Sequence, residues 1–169
     1  MPSHRAAAAA AAVLAGALAG CVDAADDVEE APGGSWTAAL AVTADWAEAA
    51  PDATGTVDIT FTGETSVELA VTGLQASTDY TAHVHDGECD ATPPGGGHWL
   101  ADPDGEDAAG NIIESAFTTS ETGTGSTTVS SDLEPDERAK SFVLHAPAAL
   151  TETEGLESDR VLCGDLEDA

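Results

Sequence analysis

Four histidines are the residues of this 169-residue chain best suited to do chemistry. Three of them fall with a cysteine in one stretch, AHVHDGECDATPPGGGHW (82–99), which holds His83, His85, Cys89 and His98. The fourth, His145, lies in SFVLHAP (141–147), and the one remaining histidine, His4, sits at the N-terminus. Two imidazoles two residues apart leave a strand on the same face, so His83 and His85 make a rigid half of a metal site. The triple glycine Gly95-Gly96-Gly97 lets the backbone come close to that half without side-chain obstruction. Four imidazoles with no thiolate suit copper, zinc or nickel, and intrinsic affinity favours copper. Structural zinc usually recruits cysteines. A blue-copper site needs a Cys ligand and commonly an axial Met, and the sole methionine is Met1.

The elements that position these residues read as strands. Residues 56–63 alternate apolar Val57, Ile59 and Phe61 with polar Asp58, Thr60 and Thr62, and 66–72 repeat the pattern with Val67, Leu69 and Val71. Further strands are expected at 36–43, 79–86, 111–119, 125–133, 139–146 and 160–166, with Gly, Pro, Asp and Ser between them. In 79–86, Tyr80, Ala82 and Val84 are expected to face the core and the two histidines the other side. In 139–146, Phe142 and Leu144 are expected inward and His145 on the face of Val143. Helical periodicity occurs only in the leader. Eight short strands predict an all-β, eight-stranded Greek-key barrel or sandwich. The long insertion 87–110, which carries Cys89 and His98, has the length of a functional loop.

Residues 1–20 have a basic start (His4, Arg5) and an apolar run over 6–18, the layout of a secretory signal peptide. The run is short for a membrane span, which takes about 20 residues. Residues 21–34 are acidic, lack aromatics and end in Pro-Gly-Gly, and read as a disordered tether to a domain at 35–169. Removing 1–20 takes away one Arg and no acid. The rest keeps three Lys and Arg against 32 Asp and Glu, a formal charge of −29. Nucleic-acid binding needs a cationic surface and is excluded. So acidic a surface repels itself in dilute buffer and is better tolerated at high ionic strength, which points to a salt-loving source.

In order and strand context, H-V-H, D-G-E-C, G-G-G-H-W, F-V-L-H-A and R-V-L-C-G resemble the copper/zinc superoxide dismutases, over residues 36–166. The resemblance implies an eight-stranded Greek-key barrel and copper held by His83, His85, His98 and His145. It implies a disulfide between Cys89 and Cys163, and it makes Arg160 the cation that guides superoxide to the metal. The family's catalysis cycles copper between two oxidation states, with His98 the ligand that leaves the metal and takes up a proton. Matching Cys89 and Cys163 to the family disulfide leaves Cys21 odd. Leu18-Ala19-Gly20-Cys21 resembles a lipobox, so the expectation is a lipid anchor at Cys21 on the outer face of the cell membrane. The alternative is an ordinary cleaved signal peptide.

Two departures from the family pattern qualify the resemblance. Zinc-containing members carry two more histidines and an aspartate after the residue matched by His98. Here the stretch WLADPDGEDAAGNII (99–113) has no histidine, and Ala108 and Ala109 stand where the aspartate is expected. The segment 146–159 is shorter than the family's electrostatic loop, holds no Lys or Arg, and is acidic. Both resemble a copper-only branch without zinc. A carboxylate on the same loop is then expected to fix the tautomer of His98, from among Asp102, Asp104, Glu106 and Asp107. The alternative function is non-catalytic copper binding and buffering on the same scaffold.

Overall fold

The computed structural model describes residues 33–169. The signal peptide, Cys21 and nearly all of the expected tether lie outside the described residues. Gly34, assigned to the tether from sequence, opens the first strand instead.

The strands are β1 (Gly34–Val42), β2 (Thr54–Phe61), β3 (Thr65–Thr72), β4 (Asp79–His85), β5 (Glu114–Thr118), β6 (Gly125–Ser131), β7 (Ser141–His145), β8 (Arg160–Asp165) and the two-residue β9 (Glu167–Asp168). All pairings are antiparallel, in the order β5-β4-β7-β8-β1-β2-β3-β6, with β9 beside β1. Consecutive strands β3 and β4 are not neighbours, nor are β6 and β7, which is Greek-key connectivity. The sheet curls until β5 and β6 lie alongside each other without a ladder, so the barrel is nearly closed. At that seam a Cβ on Gly125 would stand 2.4 Å from the Phe117 ring, so glycine is what lets the two strands approach.

Alternation builds the core as expected. Val57 and Ile59 of β2, Val67 and Leu69 of β3, and Tyr80, Ala82 and Val84 of β4 all point inward and are buried. Each of the larger aliphatic side chains contributes roughly 1.5–3 kcal/mol on burial. The histidine face of the barrel wall is covered as well. Every residue of β7 is buried, because the long loop after β4 lies over Val143.

Three expectations need correction. Two strands start later than the alternation suggested, β5 at Glu114 and β7 at Ser141. Asn111 belongs to the loop, where its side chain accepts the Asp102 N–H and donates to the Asp102 and Glu106 carbonyls. The third concerns helix. A short one, α1 (Ala148–Glu154), follows β7, and Gly155 ends it in the left-handed region at φ 70°. Seven residues are too few to show a helical period in the sequence.

Candidate metal centre

His83 and His85 project from β4 under the long loop, and His145 ends the neighbouring strand β7. The register sets Thr81 opposite His145 and His83 opposite Val143. His98 reaches the same place from the loop. Its position is fixed from both sides, by the Asp86 N–H on the Gly97 carbonyl (3.0 Å) and the Trp99 N–H on the Val84 carbonyl (2.9 Å). Gly95 has to be glycine. It sits at φ +83°, where a Cβ would be 2.5 Å from Val143 Cγ2 and 3.3 Å from His85 Nδ1. The four sequence-predicted histidines thus converge, each offering one ring nitrogen, and those four atoms lie within 4.8 Å of one another.

The second nitrogen of three rings is held by a carboxylate. Nε2 of His83 lies 3.0 Å from Glu114 Oε2, Nδ1 of His98 lies 2.8 Å from Asp107 Oδ1, and Nδ1 of His145 lies 3.2 Å from Asp159 Oδ1. In each pair the imidazole N–H donates to the carboxylate, which turns the other nitrogen's lone pair toward the centre. His83 Nδ1 is buried with no hydrogen-bond partner. An unpaired buried polar atom costs about 1–3 kcal/mol, and a metal ion at the centre would satisfy this one. His85 Nε2 lies 3.2 Å from His145 Nε2, and His85 Nδ1 lies 3.4 Å from Arg160 Nη1.

Electrostatics favours the neutral imidazole at His83 and His85. Burial lowers the pKa of His83, partly opposed by its hydrogen bond to Glu114. His85 is pushed down to about 3, first by burial and then by the neighbouring histidines and Arg160. Two nitrogens on one ion at about 2.0–2.1 Å are at most about 4 Å apart, so a small contraction of the cluster seats a metal. The residues fit a divalent transition metal bound by nitrogen.

A pH dependence follows for the metal-free protein. His85 stays neutral in the fold down to about pH 3, whereas in the unfolded chain it takes up a proton near 6.5. The unfolded state therefore binds more protons between these values, and stability falls as pH drops through them, by up to about 1.4 kcal/mol per unit from His85. Asp159 acts in the same direction. The hydrogen bond from His145 lowers its carboxyl, so its contribution is present above the ordinary carboxylate pKa and is lost as pH falls through the lowered one. Denaturant melts between pH 7 and 4 should show this decline. A flat profile would contradict buried neutral histidines.

Of the four acids considered for His98, the structure brings only Asp107 to it. Asp102 instead accepts the Asp104 N–H and helps shape the loop, and neither Asp104 nor Glu106 bonds the ring. Sequence reasoning missed Glu114 and Asp159. Glu114 stands directly opposite His83 in the β4–β5 ladder, a relation that only the register reveals. Cys89 is not a ligand, since it is bonded to Cys163. Disulfides persist in oxidising, non-cytoplasmic compartments, which fits an exported domain. Among the described residues no helix is long and apolar enough to cross a membrane. Arg160 sits beside the centre, its guanidinium donating to the Pro94 carbonyl. A cavity of about 540 Å³ opens next to His98, and Arg138 and Lys140 line it. The chain matches no protein-family model, and no curated protein matches it in sequence.

Proposed function

We propose that the chain is an exported, copper-dependent superoxide dismutase that works without zinc. The observation that carries the reading is the distribution of positive charge. The chain has a formal charge of −28, and the only Lys and Arg among the described residues are Arg138, Lys140 and Arg160. Arg160 touches His85, whereas Arg138 and Lys140 share the cavity at His98 with Asp86 and Glu137, and Arg138 is already paired to Asp136. Arg160, the cation that reaches the centre itself, is placed to draw a small anion there against the field of so acidic a surface.

Copper bound there supplies one-electron chemistry, by which one superoxide is oxidised to dioxygen and a second takes up that electron and two protons as hydrogen peroxide. The protein's part is to hold and to orient. His83 through Nδ1, and His85, His98 and His145 through Nε2, present four ring nitrogens. His98 has the most exposed of the four rings and is suited to carry a proton at Nε2, while Asp107 keeps Nδ1–H in place. Nδ1 of His98 is taken by Asp107, and no histidine beyond these four lies among the described residues to hold a second metal. The lipid anchor at Cys21 belongs to the same proposal.

The second reading is a copper-buffering protein, which needs the histidines but has no use for an anion guide. Arg160→Gln separates the two. For a dismutase the variant keeps its copper and loses about ten- to a hundredfold in superoxide consumption at low salt, the range of electrostatic steering. A copper-loaded variant consuming superoxide at the wild-type rate would show that Arg160 guides nothing.

A further inference from the structure

Three consecutive carbonyls stand out just where the β7–β8 ladder fails. Leu144 pairs with Leu162, but His145 pairs with Arg160, so the register slips and Val161 is left over. The ladder ends at Arg160, beyond the slip, and besides the bond from Ala146 just after β7 the stretch 158–160 is held by the segment that follows β1. The Ser158 carbonyl accepts the Trp46 indole N–H at 2.9 Å, and the Asp159 carbonyl accepts the Ala146 N–H at 2.7 Å. The Arg160 carbonyl accepts the Thr43 hydroxyl at 2.6 Å, and Thr43 also donates its N–H to the Val161 carbonyl at 2.9 Å.

Both side chains that leave this stretch act on the centre. Asp159 receives the His145 Nδ1–H, and Arg160 lies against His85 and the Pro94 carbonyl. Thr43 directly follows β1, and Trp46 ends the short 3-10 turn (Ala44–Trp46) after it. Both are buried, at 7 % and 2 % exposure, and neither touches a histidine of the centre through a hydrogen bond. We propose that Thr43 and Trp46 are positioning residues. Their side-chain donors fix the Ser158–Asp159 and Arg160–Val161 peptides, which bracket Asp159 and Arg160, and so set the orientation of His145 and the placement of Arg160. This inference rests on reading the four histidines as a metal centre with Arg160 as its anion guide.

A buried indole needs an acceptor in any case, so the test must separate positioning from plain stability. Trp46→Phe keeps an aromatic ring and removes the N–H, and Thr43→Val keeps the shape and removes the hydroxyl. The readout is the ¹⁵N spectrum of the His145 imidazole in the metal-free full-length protein at fixed pH. In the wild type a single Nδ1–H tautomer is expected. Both variants should show a tautomer mixture at His145, with His83 and His98 unmoved. Copper(II) release to a chelator should quicken about fivefold, the worth of one ordinary hydrogen bond. A lowered melting temperature with the His145 tautomer unchanged would overturn the proposal, and if Trp46→Phe does not fold, Thr43→Val decides. The tautomer is read without metal, so the result bears on positioning whether or not the protein is a copper enzyme.

Discussion

Replacing His145 with alanine is expected to abolish tight copper binding while leaving the barrel folded. His145 is buried, supplies the nitrogen 3.2 Å from that of His85, and is the only ligand outside β4 and its following loop. Without it the centre keeps three imidazoles and gains an acid, Asp159, that has lost its partner. Partners in the outer layer typically cost 10–100-fold in metal affinity, so Asp159→Asn should fall in that range. Loss of a ligand itself should exceed about 100-fold. Competition with a chelator of known copper affinity measures both, and circular dichroism reports the fold. The size of the His145→Ala effect is the test. Copper affinity in His145→Ala within about tenfold of the wild type would mean that His145 does not bind the metal.

The second large effect is expected from the disulfide. Cys89 and Cys163 are 74 residues apart, and a closure of that length contributes about 4 kcal/mol in the chain-entropy model. The double variant Cys89→Ser/Cys163→Ser should melt more than about 10 °C lower. Copper retention should suffer less than stability does. The bond pins the segment whose Pro94 carbonyl holds Arg160, but Gly97 and Trp99 are tied to β4 independently on either side of His98. Superoxide consumption should therefore fall before copper is lost, as Arg160 comes adrift. Thermal melts with copper quantified at each temperature show the sequence of events. A double variant of unchanged melting temperature would contradict it.

The histidines were legible in the sequence because this chain uses them nowhere else among its described residues, and H-x-H on a strand places two on one face. The alternation in β2 and β3 and the inward face of β4 were legible for the same reason, a period of two. What failed to show is what depends on register and long-range contact. Glu114 is one of 32 acids, and nothing marks it until the ladder puts it opposite His83. Asp107 could be shortlisted by its loop but not chosen, because the choice rests on how Asn111 folds that loop. Thr43 and Trp46 act on residues more than 110 positions away, across a slipped register that no local pattern announces. The helix after β7 escaped because its seven residues span only two turns.

The dismutase reading depends on the four histidines holding a copper that turns over superoxide. Loading the zinc-stripped protein with copper, counting metal per chain and following superoxide consumption in the same sample tests that dependence at its root. One copper per chain is expected, with consumption well above the spontaneous rate that disappears when zinc replaces copper. Full copper occupancy with consumption no faster than spontaneous would contradict the dismutase and leave a copper-binding protein in place of an enzyme.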